Sequence, residues 1–212
     1  MHDLPGHILT ISFIESLKNA DRWLFRKINE DWTSPFFDVV FPLWREAITW
    51  MPLYIFLLVL VLLNFGFKIW PWIIGFIVTV SLTDQISSHV FKTLVQRPRP
   101  CHDPYLVDNI RLLLEYCSNS FSFTSSHATN HFGMAFFIYF TMKKYFGKWI
   151  YAFFFWAFTI SYGQVYIGIH YPLDVTGGAL LGTAIGWMTA YIFNARFGLP
   201  PLRSNQKPAV QL

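Results

Sequence analysis

The chain has 212 residues, of which 54% are hydrophobic, 20% aromatic and only 13% charged. A soluble domain carries about 25% charged residues, so this composition excludes an ordinary water-soluble globule and points to a membrane protein. The net charge of +4 is modest and unevenly placed, with no basic stripe that would fit a nucleic acid.

Residues 6–31 place Ile8, Ile11, Phe13, Ile14, Leu17, Leu24, Phe25 and Ile28 at helical spacing. Glu15, Lys18, Asp21, Arg22, Arg26 and Lys27 are expected on the opposite face. Such a segment is too charged to span a bilayer and is predicted to lie along its surface, or else to pack as a soluble helix on a loop. The N-terminus shows no basic run ahead of an apolar core, so the spans themselves are expected to drive insertion. Residues 32–49 read as a linker with a short amphipathic piece, SPFFDVVFPLW.

Apolar runs at 49–67, 72–94, 126–142, about 149–170 and 172–194 predict five membrane-spanning helices. The last, rich in Gly and Ala, permits close helix packing. The expected organisation is N-terminal interfacial helices over 1–48, a transmembrane core over 49–196 with an outer loop at 95–124, and a tail over 197–212. One side receives Lys68, Lys143, Lys144, Lys148, Arg196, Arg203 and Lys207, and no acidic residue. The positive-inside rule puts that side, with the C-terminus, in the cytoplasm, and the N-terminus, the long loop and residues 162–178 outside.

Three polar clusters fall on the outer side. Lys92, Arg97, Arg99 and Pro100 lie in KTLVQRPRP; Ser125, Ser126 and His127 in FTSSHATNH; Gln164, His170 and Asp174 in YGQVYIGIHYPLDVTGG. Lys and Arg supply cationic donors, Arg in a bidentate fork suited to phosphate oxygens. Ser125 stands where a helix N-cap belongs, and the free N–H groups of the following turn suit an oxyanion. His170 is placed to attack phosphorus with Asp174 orienting it, and His127 to protonate a leaving alkoxide. No carboxylate cluster of the kind that holds Mg²⁺ accompanies them, so neither metal nor cofactor is expected. Asp84, inside the second span, is expected to hydrogen-bond across to Asn130 or His131. His131 reads as a packing residue; His89 and His102 fit no pattern. Cys101 and Cys117 close a loop on the outer side, where a disulfide would contribute about 3 kcal/mol; two free thiols are the alternative.

The three clusters resemble the type 2 phosphatidic acid phosphatase family, whose pattern is K-x6-R-P, P-S-G-H and S-R-x5-H-x3-D. Lys92, Arg99 and Pro100 fit the first part, Ser125 and His127 the second, and His170 and Asp174 the third. The resemblance implies a metal-independent lipid phosphatase working through a phosphohistidine, with His170 the nucleophile, Asp174 its partner and His127 the general acid. Lys92, Arg99 and the Ser125–His127 backbone would hold the phosphate. The implied substrate is a membrane lipid phosphate or diphosphate: an isoprenyl diphosphate, phosphatidylglycerol phosphate, phosphatidic acid or lipid A. A non-catalytic binder or transporter and a lipid phosphotransferase are the alternatives.

The chain departs from that pattern in three places. Thr124 and Ser126 replace the Pro and Gly of the second motif, and Gly163-Gln164 replaces Ser-Arg in the third. Gln164 retains a hydrogen-bond donor but no charge, a loss of about 1.5–3 kcal/mol in phosphate binding. Arg97 is the expected substitute.

Overall fold

A computed structural model describes residues 5–202 as an all-α membrane protein. Its helices are α1 (Pro5–Arg26), α2 (Pro35–Trp44), α3 (Ala47–Phe65), α4 (Trp70–Gln85), the single turn α5 (Lys92–Val95), α6 (Ser126–Phe146), α7 (Tyr151–Tyr166) and α8 (Pro172–Arg196). A π-helical turn, Ile86–Phe91, carries α4 into α5. Two helical stretches, Ala47–His102 and Pro172–Arg196, are long and apolar enough to cross a membrane. Gly66, whose φ of 67° favours glycine, interrupts the first and separates α3 from α4.

The centre of the bundle is the pair α6 and α8. Their backbones touch because Gly133 on α6 faces Gly182 and Gly186 on α8. A methyl group at either α8 glycine would overlap the α6 backbone, and one at Gly178 would come within 2.6 Å of the Ser125 carbonyl oxygen. Small residues thus do here what the sequence suggested. Buried polar side chains tie α4 to the same pair: Thr79 Oγ1 bonds Thr189 Oγ1 at 2.8 Å, and Trp72 Nε1 donates to Thr141 Oγ1 at 2.8 Å. The outward faces present Leu58, Leu63, Ile74, Ile77, Phe155, Phe158, Leu180 and Trp187, a surface suited to hydrocarbon rather than water.

A second apolar cluster caps the end of the bundle that carries the polar motifs. Phe25 and Ile28 from the first helical segment, Phe41 from α2 and Leu106 from the long loop pack on Val165, Tyr166, Ile167, Ile169 and Tyr171. The loop is fastened by polar contacts as well. Arg22 Nε reaches Asp103 at 2.9 Å, Arg111 reaches Asp38 at 2.7 Å, and Asn29 Nδ2 bonds the carbonyls of Arg111 and Tyr166 at 2.9 and 2.7 Å. Cys101 and Cys117 are joined in a disulfide, with Cα atoms 6.3 Å apart.

Three expectations need correction. The helix expected over 6–31 ends at Arg26 and continues as a π-helical turn, Lys27–Asp31, which turns Asn29 inward. Asp21, assigned to the solvent face of that helix, is only 4% exposed. It shares the inward stripe with Leu24, Phe25 and Ile28 because Arg97 waits there to neutralise it. The fourth apolar segment does not run helically to His170; α7 stops at Tyr166, and residues 167–171 cross in open backbone. The side chains of Ile8 and Ile11, and the tail with Arg203 and Lys207, lie outside the described residues.

Candidate active site

His170 sits in the short crossing from α7 to α8, outside regular structure. Its backbone N–H donates to the Gln164 carbonyl at 3.2 Å, as does that of Ile169 at 3.3 Å, so the end of α7 fixes the crossing. Tyr171 and Asp174 form a capping box at the start of α8, where the Asp174 carboxylate accepts from the Tyr171 N–H at 2.9 Å. This cap points the carboxylate back toward the imidazole. Asp174 Oδ2 lies 3.6 Å from His170 Nδ1.

Ser122 completes that contact. Its hydroxyl donates to Asp174 Oδ2 and lies 3.3 Å from His170 Nδ1. A hydroxyl that gives its proton to a carboxylate accepts one from the ring, so Nδ1 carries the hydrogen and Nε2 presents its lone pair. Nε2 faces Arg99 Nη1 at 3.4 Å. Burial of the ring, opposed by its hydrogen bond to Asp174, pushes His170 down to about 4. The imidazole is therefore neutral at physiological pH, with its lone pair at Nε2.

Arg99 is buried and aimed by three further bonds: Nε to the Ser120 carbonyl at 2.9 Å, Nη2 to Ser120 Oγ at 2.8 Å, and Nη1 to the Ile169 carbonyl at 3.1 Å. These acceptors are neutral, so the guanidinium keeps its whole charge for an incoming anion. On α6, Ser125 is the N-cap, its hydroxyl accepting from Ala128 N at 3.4 Å, and its own N–H donates to the Asp174 carbonyl oxygen at 3.1 Å. That bond, with the close approach at Gly178, brings the positive end of α6 to the start of α8. His127, on the first turn, lies within electrostatic reach of His170 and Lys92, and Lys92 within reach of Arg99 and Asp174. The three sequence clusters converge on one site.

Two residues expected at the phosphate take other positions. Arg97 does not substitute for the missing third-motif arginine. Its Nη1 pairs with Asp174 at 2.8 Å and its Nη2 with Asp21 at 2.6 Å, while its face stacks on Tyr171 at 3.7 Å. Two buried carboxylates claim both ends of the fork, so Arg97 braces the back of Asp174. Gln164 is fully buried, with Nε2 reaching only the Ile160 carbonyl at 3.5 Å and Oε1 without a partner among the described residues. Its backbone carbonyl, rather than its amide, serves the site. Ser126 Oγ bonds Ser87 and Ser88, each at 3.0 Å, which leaves its backbone as the part open to an anion. Asp84 takes the expected partner: Asn130 Nδ2 reaches it at 3.3 Å.

Sequence reasoning missed Ser122 and Asp21. Ser122 sits in a serine-rich loop with no periodicity to mark it. Asp21 did carry a signal, since it falls on the stripe through Leu17, Leu24, Phe25 and Ile28, where an acid needs a reason. Cys101, His102 and Cys117 hold their donor atoms within 4.8 Å of one another, but the disulfide removes both thiols from metal ligation.

A family model, the PAP2 superfamily, matches residues 70–197. A lipid A 4'-phosphatase from Bacteroides thetaiotaomicron is 32% identical over 182 residues, 84% of this chain and 79% of that protein. A lipid A 4'-phosphatase from Porphyromonas gingivalis is 28% identical over 176 residues, covering 82% and 72%. The crystal structure of Aquifex aeolicus LpxE superposes with a TM-score of 0.56 at 29% identity, covering 79% of this chain and 93% of that one. With its helical membrane fold and its convergent His, Lys and Arg side chains, the chain belongs to the PAP2 superfamily and is an inner-membrane lipid phosphatase.

Proposed function

We propose that this phosphatase removes a phosphate from the sugar headgroup of a lipid A-type glycolipid at the outer face of the inner membrane. The two lipid A 4'-phosphatases that resemble most of the chain support the choice of substrate. The observation that carries the chemistry is the neutral His170 ring, with Nδ1 held by Ser122 and Asp174 and Nε2 facing Arg99 Nη1 at 3.4 Å.

In this reading Nε2 attacks phosphorus, the phosphorus–oxygen bond to the sugar breaks, and His127 gives a proton to the departing alkoxide. Lys92, Arg99 and the N–H groups at the start of α6 hold the three non-bridging oxygens and the charge that builds on them. Asp174 stabilises the imidazolium while the phosphohistidine exists. Water then attacks the phosphohistidine, passing a proton to His127, and inorganic phosphate leaves. Five spans (α3, the run α4–α5, α6, α7 and α8) would put the site at headgroup level, with the 1–48 segment over it and the C-terminal tail in the cytoplasm.

Purified protein should release phosphate from lipid A in detergent with EDTA present, and mass spectrometry of the product should show loss at the 4' position. His170→Ala should abolish the release and the acid-labile phosphoenzyme together. Loss of the 1-phosphate instead, or turnover confined to glycerolipids, would refute the assignment.

A further inference from the structure

If His170 attacks in line, the departing oxygen leaves toward His127, and the group it carries needs room there. A cavity of about 380 Å³ lies on that side, between α3, α4 and α6, with His127 on its wall. Its size falls within the range of about 300–1,000 Å³ usual for small-molecule sites. Its wall mixes the apolar Tyr54, Phe76, Val80 and Met134 with the polar Arg45, Asp84 and Asn130.

These polar groups are incompletely satisfied. Asn130 spends its Nδ2 on Asp84 at 3.3 Å, and its buried Oδ1 has no hydrogen-bond partner among the described residues. Arg45 Nε is in the same condition; its guanidinium makes an ion pair from Nη1, to Glu46 at 3.3 Å. Arg45 lines the same cavity as His127, so it belongs to the leaving-group side. Buried polar atoms left unpaired are costly, and a ligand that meets them removes the cost. An acyl or isoprenyl chain offers no such groups. A sugar ring offers hydroxyl donors and acceptors at its edge and an apolar face for Tyr54 and Phe76.

We propose that this cavity is the subsite for the sugar ring that carries the phosphate, with Arg45, Asp84 and Asn130 bonding its polar edge. The inference rests on the reading of His127 as the acid that protonates a glycolipid leaving group. The test is competitive inhibition of the full-length protein in detergent by glucosamine 4-phosphate, inorganic phosphate and pyrophosphate. The sugar phosphate should bind the wild type about tenfold tighter than inorganic phosphate. Arg45→Gln and Asp84→Asn should each cut that advantage to about threefold or less, with inorganic phosphate on the same protein as the internal reference. Equal affinity for sugar phosphate and phosphate in the wild type would overturn the proposal, as would equal weakening of both ligands in the variants. Preference for pyrophosphate would also overturn it, by assigning the cavity to a second phosphate. A wild type that prefers the sugar phosphate yet turns over only glycerolipids would refute the glycolipid substrate and leave the subsite standing.

Discussion

Removing the Arg97 guanidinium separates two roles that sequence alone could not. Arg97→Ala deletes the 2.6 Å pair to Asp21 and the 2.8 Å pair to Asp174, whose side chains are 1% and 0% exposed. Breaking a buried pair by deleting one partner costs about 3–5 kcal/mol, because the remaining charge is stranded. Arg97 itself is 21% exposed, so water will offset part of this and the lower end applies. Asp174 keeps its bonds to Ser122 and the Tyr171 N–H, whereas Asp21 keeps, among the described residues, only the Leu173 N–H at 2.8 Å. Much of the cost therefore falls on Asp21, and Asp21→Asn in the Arg97→Ala background should recover about 1–2 kcal/mol. Thermal unfolding in detergent reads the stability, and inhibition by inorganic phosphate reads the anion site. Arg97→Ala should lower Tm and kcat while changing the phosphate inhibition constant less than about twofold, whereas Arg99→Ala should weaken it by about tenfold or more. A stable Arg97→Ala protein with phosphate binding weakened tenfold would refute the bracing role and return Arg97 to the substrate.

Ser122→Ala should lower kcat about tenfold with little change in KM, since it removes one hydrogen bond that orients His170 rather than one that holds substrate. His170, pushed down to about 4 by burial, should remain neutral in ¹⁵N-histidine NMR at pH 5.5, with His170→Gln identifying the signal. Because its folded value lies below the ordinary 6.5, the unfolded chain binds the extra proton first, so stability falls as pH drops from 6.5 toward 4. Gly182→Ala should destabilise the bundle by about 1–3 kcal/mol in thermal melts, because its methyl group meets the α6 backbone rather than a movable side chain.

The helical segments, the small-residue seam and the convergence of Lys92, Arg99, His127 and His170 were legible because each rests on local periodicity or fixed spacing. What escaped was set by distant partners. Asp21 looked like one more charge on an amphipathic helix until Arg97, 76 residues on, gave it a reason to turn inward. Arg97 looked like a spare phosphate ligand because sequence shows its charge but not the two carboxylates that claim it. Gln164 attracted attention for its side chain, whereas its carbonyl, bonded to two successive N–H groups, is the part that shapes the crossing. Backbone roles leave no mark in a residue's identity.

The brace at Arg97 also bears on how the enzyme is made. It joins α1 to α8, through partners 76 residues before it and 77 after it. During synthesis the Lys92–Pro100 segment emerges long before Asp174 does, so the orienting carboxylate cannot be seated until the last helix has left the translocation machinery. The brace therefore closes only when α1, the Lys92–Pro100 segment and α8 are all present. A chain still lacking α8 holds Lys92 and Arg99 but not the carboxylate that pairs with His170 and Arg97, so the site is complete only with the last helix.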